Sequence, residues 1–256
     1  MYICFDLDDT LLNKKKEITL FTKQVLKLLQ EKGHKLIINT ARGYPATLDV
    51  INEIKPDYSV VNAGALVLDK DLNAIHEDPI DVDTTNEIIE LLKGKASIIS
   101  VQARETLYTN NQKTLNEKAV LTDYNERFNE KAYKIIPRDL DYDYAIKIKE
   151  KYDLDYCVYF NSVWSRFCTK NSTKINGLKK VIEYENGNMK DTISFGDDTG
   201  DLEMLLGSGI GVAMENSVKN VLEKVKIKTV SCDEDGVAVY LNKYFNLGLQ
   251  REASND

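Results

Sequence analysis

Apolar positions along this chain fall into short unbroken runs separated by segments of helical spacing. Met1–Phe5, Lys35–Ile38, Tyr58–Val61, Asp191–Phe195 and Ile210–Met214 are such runs. A run without polar alternation predicts a strand buried on both faces of a parallel sheet. Between the runs, Thr19–Lys32 puts Phe21, Val25, Leu28 and Leu29 on one helical face, and Gly33 predicts its end. Further helices are predicted over Pro45–Ile54, Lys174–Glu185, Ser217–Lys224 and Asp235–Tyr244, with a short strand at Lys228–Val230. Strand and helix in alternation predict right-handed crossovers over a parallel sheet.

The rhythm breaks in the middle of the chain. Ala65–Pro79 predicts a hairpin with Asp69-Lys70-Asp71 as its turn. A helix is predicted over Thr84–Leu92 and another over Tyr142–Tyr152. Ala96–Gln102, Thr106–Thr109 and Ala132–Ile136 are β-rich, and Tyr156–Phe160 with Val163–Cys168 predicts a hairpin through Asn161-Ser162. The polar segment Asn110–Asn129 carries no clear period. Clustered strands with two helices define a separate α+β unit. The expected class is therefore α/β: a Rossmann-like parallel-sheet core over 1–80 and 169–256, with an inserted α+β domain over 81–168. The tyrosines and Trp164 of the insert suit half-buried sheet better than a pocket lining.

Composition narrows the classes. The chain has 256 residues, enough for one large domain or a core carrying an insert. No apolar run is long enough to span a membrane, and no basic region precedes an apolar segment, so neither membrane nor secretory signal is expected. Cys4, Cys157, Cys168 and Cys232 are scattered and form no CxxC pair, which fits reduced thiols in a cytoplasmic protein. A net charge of −7 argues against nucleic acid as a partner. An acidic protein that takes an anionic substrate needs local positive charge from a metal or a placed lysine. The two histidines, His34 and His76, have no nucleophile near them in sequence, which disfavours a Ser–His or Cys–His mechanism.

The candidate chemistry lies where the buried runs end. The first run continues into Asp6-Leu7-Asp8-Asp9-Thr10, the second into Asn39-Thr40-Ala41-Arg42, and the Asp191–Phe195 run into Gly196-Asp197-Asp198-Thr199-Gly200-Asp201. Ligands of open α/β sheets bind at the carboxyl ends of the strands. In an extended segment Asp6 and Asp8 point the same way, and two crowded carboxylates hold a proton or a cation between them, unless the stretch is only a solvated turn. Thr40 and Arg42 suit either a turn or phosphate recognition by a hydroxyl and a guanidinium. Asp6, Asp8 and Asp197 together would form a hard-oxygen site for Mg²⁺. Lys174 opens a helix, the wrong end for a cation unless it faces anions.

These residues resemble the haloacid dehalogenase-like superfamily. Asp6, Asp8 and Thr10 match its DxDxT signature, Thr40 its second motif, Lys174 its third, and Asp197 with Asp201 its fourth. NTARG, KINGLKK, GVAMEN and DEDGVA resemble the Cof-type branch, subfamily IIB, whose C2-type α+β cap is inserted between the second and third motifs. The resemblance runs nearly end to end. It implies a Mg²⁺-dependent phosphatase of small phosphorylated metabolites. Sugar phosphates lead, and pyridoxal phosphate and flavin mononucleotide are further candidates. It implies Asp6 as nucleophile and Asp8 as acid and then base. Mg²⁺ would be held by the Asp6 and Asp197 carboxylates and the Asp8 main-chain carbonyl. Thr40 and Lys174 would hold phosphoryl oxygens, with Asp201 in support. In the fourth motif Gly200 stands where the family has asparagine, so an amide donor is missing; Asn216 is the candidate replacement. A phosphotransferase of the phosphomannomutase kind and a non-catalytic binding module are the rival readings. The oligomeric state is left open.

Overall fold

The computed structural model describes residues 1–114, 119–158 and 163–251. By contacts the chain divides into two compact units. One holds Met1–Ala41, Asp49–His76 and Thr173–Asp256; the other holds Arg42–Leu48 and Glu77–Ser172. In chain order the elements begin with β1 (Tyr2–Phe5), α1 (Leu20–Glu31), β2 (Lys35–Asn39), α2 (Leu48–Ile54), β3 (Tyr58–Val61), β4 (Leu66–Asp69) and β5 (Ala74–Glu77). The second unit adds α3 (Val82–Leu92), β6 (Ile98–Gln102), β7 (Leu107–Thr109), β8 (Ala119–Leu121), β9 (Lys134–Arg138), α4 (Tyr142–Lys151), β10 (Leu154–Val158) and β11 (Ser165–Thr169). The chain closes with α5 (Lys174–Tyr184), β12 (Thr192–Gly196), α6 (Leu202–Gly207), β13 (Ile210–Ala213), α7 (Lys219–Lys224), β14 (Ile227–Lys228) and α8 (Gly236–Tyr244).

The first unit is the predicted α/β core. Its sheet has the order β14-β13-β12-β1-β2-β3-β4-β5, parallel from β14 to β3, with β4 antiparallel to β3. β1 lies between β12 and β2, in register Phe5↔Phe195 and Phe5↔Ile38. Both faces are covered, which is why these strands lack polar alternation. Cys4, Ile37 and Val60 pack with Leu178 and Val181 of α5 and Met204 of α6. Ile3 and Phe5 point to the opposite face, where Phe195 meets Tyr240 of α8 edge-on at 5.5 Å. α1 starts where predicted because the Thr19 hydroxyl accepts the Thr22 N–H at 3.1 Å. It ends at Gly33, whose φ of +82° suits a residue without Cβ.

The helix expected over Pro45–Ile54 is interrupted. Tyr44–Ala46 forms one 3₁₀ turn, and the α-helix begins only at Leu48. The Thr47 hydroxyl donates to the Gly43 carbonyl at 2.9 Å, a local bond that competes with continuous helix.

The second unit is a six-stranded sheet of order β10-β11-β9-β6-β7-β8 with α3 and α4 on one face. Ile88, Ile89 and Leu92 of α3 and Ala145 and Ile148 of α4 pack on Ile99, Val101, Ile135 and Phe167. β9 and β10 are each displaced by two residues from the predicted runs. Pairing sets their ends: β9 is held along β6 from Gln102↔Lys134 to Ile98↔Arg138, while Ala132 forms an isolated bridge with Ile80. β8 arises in the segment without a readable period and pairs parallel to β7. The predicted turn at Asn161-Ser162 lies outside the described residues. No helix among the described residues is long and apolar enough to cross a membrane.

Candidate active site

Asp6 follows directly on β1, and its N–H donates to the Phe195 carbonyl at 3.2 Å, the last bond of the β1–β12 ladder. Parallel neighbours deliver their ends to one edge, so the loops after β1, β2 and β12 emerge there together. Asp6 is nearly buried, 7% exposed, and Lys174 Nζ lies 2.9 Å from its Oδ1. The same Nζ is 2.5 Å from Asp201 Oδ1. Two carboxylates thus outweigh the unfavourable dipole at the start of α5. Burial opposes the lysine's charge, but Asp6 and Asp201 hold its pKa above the ordinary value.

Asp201 is fully buried and turned inward. Its Oδ2 accepts the N–H groups of Asp197 and Asp198 at 3.1 and 3.0 Å, which fixes the loop after β12. This closeness needs Gly196, since a Cβ there would stand 2.5 Å from the Asp201 Cβ. Asp197 in turn accepts the Thr10 hydroxyl on Oδ1 at 2.6 Å. Oxygens of Asp6, Asp197 and Asp201 lie within 4.8 Å of one another. Burial, with Asp201 adding to it, pushes Asp6 up to about 7 against the pull of Lys174. Burial also pushes Asp197 up to about 7, with Thr10 opposing and Asp201 and Asp6 adding. Crowded, desolvated carboxylates of this kind suit a hard divalent cation. Asp201 spends its oxygens on Lys174 and the backbone, so Asp6 and Asp197 are the carboxylates best able to hold one.

The other predicted residues are placed as follows. Asp6 and Asp8 lie in the turn after β1 rather than in an extended strand. β1 ends at Phe5, and the loop folds back so that Leu12 N–H meets the Leu7 carbonyl at 2.8 Å. The Asp8 carboxylate, 39% exposed, pairs with Lys16 at 3.0 Å. Thr40 is buried, its N–H on the Val60 carbonyl and its own carbonyl on the Ala63 N–H, both at 2.9 Å. Arg42 groups with the second unit, and its Nη1 reaches the Ala46 carbonyl at 3.5 Å. Asn216 sits between two loops. Its Nδ2 donates to the Asp9 carbonyl at 2.7 Å and its Oδ1 accepts the Cys232 N–H at 2.9 Å. That carboxamide straps two loops together.

Two supporting residues escaped sequence reasoning, and a third, Thr10, was matched there only as part of a signature. Thr10 belongs to the DxDxT stretch, but only the fold brings it to Asp197. Asn39 ends β2 and donates to the Lys174 carbonyl at 2.8 Å. Thr173 caps α5 by accepting the Asn176 N–H at 3.3 Å, which orients the turn that carries Lys174. A threonine directly before a helix was a readable capping signal; the Asn39 bond had none.

A parallel α/β core with this carboxylate–lysine cluster at its strand ends defines a hydrolase of the haloacid dehalogenase type. The profile of the haloacid dehalogenase-like hydrolases matches residues 3–241, and the chain belongs to that family, in its Cof-type branch. It is 25% identical over 266 residues to the 5-amino-6-(5-phospho-D-ribitylamino)uracil phosphatase YitU of Bacillus subtilis (strain 168), covering 96% of this chain and 97% of that protein. Among solved structures, a haloacid dehalogenase-like hydrolase from Bacteroides thetaiotaomicron superposes with a TM-score of 0.83 at 20% identity, over 95% of this chain and 99% of the other. The subclass IIB sugar phosphatase BT4131 gives a TM-score of 0.78 at 20% identity, over 96% and 99% of the two chains. The chain is an enzyme of this phosphatase group.

Proposed function

We propose that the protein is a Mg²⁺-dependent phosphatase that hydrolyses phosphate monoesters of small metabolites, sugar phosphates first, through an aspartyl-phosphate. The observation that carries this is the buried Asp6, held at 2.9 Å by Lys174 and within a cluster that includes Asp197. The Asp6 and Asp197 carboxylates, with the Asp8 main-chain carbonyl that the family resemblance adds, would hold Mg²⁺. The ion's contribution is charge neutralisation at the phosphoryl oxygens.

The chain's own residues do the rest. An Asp6 oxygen attacks phosphorus, the ester P–O bond breaks, and the leaving oxygen takes the Asp8 proton. Asp8 then accepts a proton from water as that water attacks the phosphorus, and the bond to Asp6 breaks to release inorganic phosphate. Lys174 and the Thr40 hydroxyl hold phosphoryl oxygens, where fixed charge is worth most. Asp201 is a positioning residue that aims Lys174 and fixes the Asp197 loop. The inserted domain over 81–168 acts as the cap that selects the metabolite. A relative named for a phosphorylated ribityl compound and a neighbour titled a sugar phosphatase support sugar-like esters. The four free cysteines fit a reducing, cytoplasmic setting.

The experiment is a screen of phosphorylated metabolites by phosphate release, with Mg²⁺ and with excess chelator. Release that requires Mg²⁺ is expected. Full activity in chelator would remove the metal, and no release from any ester would remove the phosphatase reading.

A further inference from the structure

β3 ends in a turn that its own folding does not explain. Asn62, Ala63 and Gly64 follow Val61 with φ of +53°, +57° and +106°, three consecutive residues in the left-handed region. Glycine takes that conformation freely and asparagine tolerates it, but for alanine it is strained. Asn62 is fully buried, and among the described residues neither its Nδ2 nor its Oδ1 has a hydrogen-bond partner. Burying an unpaired amide is costly, and native proteins carry few such groups. Glycine would serve the backbone at this position without that cost, so the backbone does not account for the carboxamide.

The turn lies between the two residues proposed to hold phosphoryl oxygens, and all of them belong to the first unit. On one side, the Ala63 N–H donates to the Thr40 carbonyl at 2.9 Å, and the Thr40 N–H donates to the Val60 carbonyl at 2.9 Å. On the other side, Gly64 packs on the backbone of Thr173, the residue before Lys174, so that an added Cβ would run into the Thr173 carbonyl. Further along α5, a Cβ on Gly177 would stand 3.0 Å from the Gly64 Cα. The turn is thus a spacer in backbone contact with Thr40 and with the first turn of α5. Its conformation sets how far Thr40 stands from Lys174. Strain and an unpaired polar group in one turn, at the sheet edge where Asp6 and Lys174 meet, mark interactions that a ligand completes.

We propose that Asn62 is a positioning residue for the phosphoryl end of the site: its carboxamide forms its hydrogen bonds only in the phosphate-bound state, and these fix the spacing of Thr40 and Lys174. The inference rests on the phosphatase reading and adds to it a residue outside the signature motifs.

The test replaces Asn62 by Leu, which fills a similar volume without polar atoms, and uses inorganic phosphate as the probe. Wild type and variant are melted in Mg²⁺ with and without phosphate, and the inhibition constant of phosphate is measured against nitrophenyl phosphate hydrolysis. Phosphate should raise the wild-type melting temperature, and Asn62→Leu should lose most of that rise whatever its melting temperature without phosphate. Its phosphate inhibition constant should rise at least about tenfold, with KM rising alongside and kcat changing less. A phosphate-induced rise equal to that of wild type, or an unchanged inhibition constant, overturns the role and leaves the phosphatase reading standing. A wild type that neither binds phosphate nor releases it from any ester removes the phosphatase reading and this role with it. If Asn62→Leu does not fold, Asn62→Gly, which takes the left-handed backbone without strain, carries the comparison.

Discussion

Thr10 donates its hydroxyl to Asp197 at 2.6 Å and so ties the loop after the first strand to the loop after β12. The bond fixes one oxygen of a carboxylate proposed to hold the metal. Thr10→Val keeps the shape and removes the donor. We expect the Mg²⁺ concentration for half-maximal phosphate release to rise several-fold while the rate at saturating metal falls less. Asp197→Ala should cost at least about a hundredfold in rate, as removal of a direct electrostatic stabiliser does. Titration of Mg²⁺ against nitrophenyl phosphate hydrolysis checks both, and an unshifted titration for Thr10→Val would deny the hydroxyl this role.

Lys174 holds Asp6 and Asp201 at once. Lys174→Met leaves two buried carboxylates without their cation, and loss of one partner of a buried pair costs about 3–5 kcal/mol. The variant should unfold at clearly lower denaturant, and added Mg²⁺ should restore part of the loss. Phosphate release should be lost even where the fold survives. A denaturation midpoint equal to wild type would mean that the cluster tolerates its charges without the lysine.

The pH dependence of the metal-free protein follows from Asp6 and Asp197, both raised to about 7. For a carboxyl whose folded value lies above its unfolded one, the folded state binds the proton more tightly. That stabilisation is complete below the unfolded value near 3.8, shrinks as pH rises, and is gone above about 7. In chelator, the melting temperature should therefore fall between about pH 5 and pH 7 more steeply for wild type than for Asp197→Asn. Mg²⁺ should flatten the wild-type slope. Parallel curves for the two proteins would rule out Asp197 as a proton-linked group.

In the proposed mechanism Asp6 and Asp8 divide the chemistry, so their variants should differ. Asp6→Asn should abolish turnover of every ester. Asp8→Ala should be severe for alkyl phosphates, whose leaving oxygen needs a proton, and milder in the first step for nitrophenyl phosphate. A phosphoenzyme should then accumulate, because the attacking water lacks its base. Rapid quench and mass spectrometry should find phosphate on the peptide holding Asp6; phosphate elsewhere would overturn the assignment.

Gly200 has room for a side chain, since an added Cβ meets nothing within 4 Å. Gly200→Asn should add the amide donor that the family has at this position. A charge-assisted hydrogen bond is worth about 1.5–3 kcal/mol, so inhibition by inorganic phosphate should tighten roughly tenfold or more. Unchanged inhibition in folded protein would show that the new amide points elsewhere.

The sequence alone determined the core strands, because a strand covered on both faces needs an unbroken apolar run whatever its neighbours are. Tyr58–Val61 was legible to the residue for that reason. It also determined which residue types crowd the strand ends, since Asp6, Thr40 and Asp197 each follow such a run. The α+β insert was legible in kind but not in register. β9 and β10 slid by two residues because only the partner strand decides where a ladder ends. Tertiary structure alone decided the wiring of the site. Asp8 turns to Lys16, Asn216 becomes a strap, Lys174 meets Asp201, and Thr10 finds Asp197 across 187 positions of chain. Local pattern records how each residue meets its own strand or helix; which side chain answers it across the sheet is settled only when the strands are laid side by side.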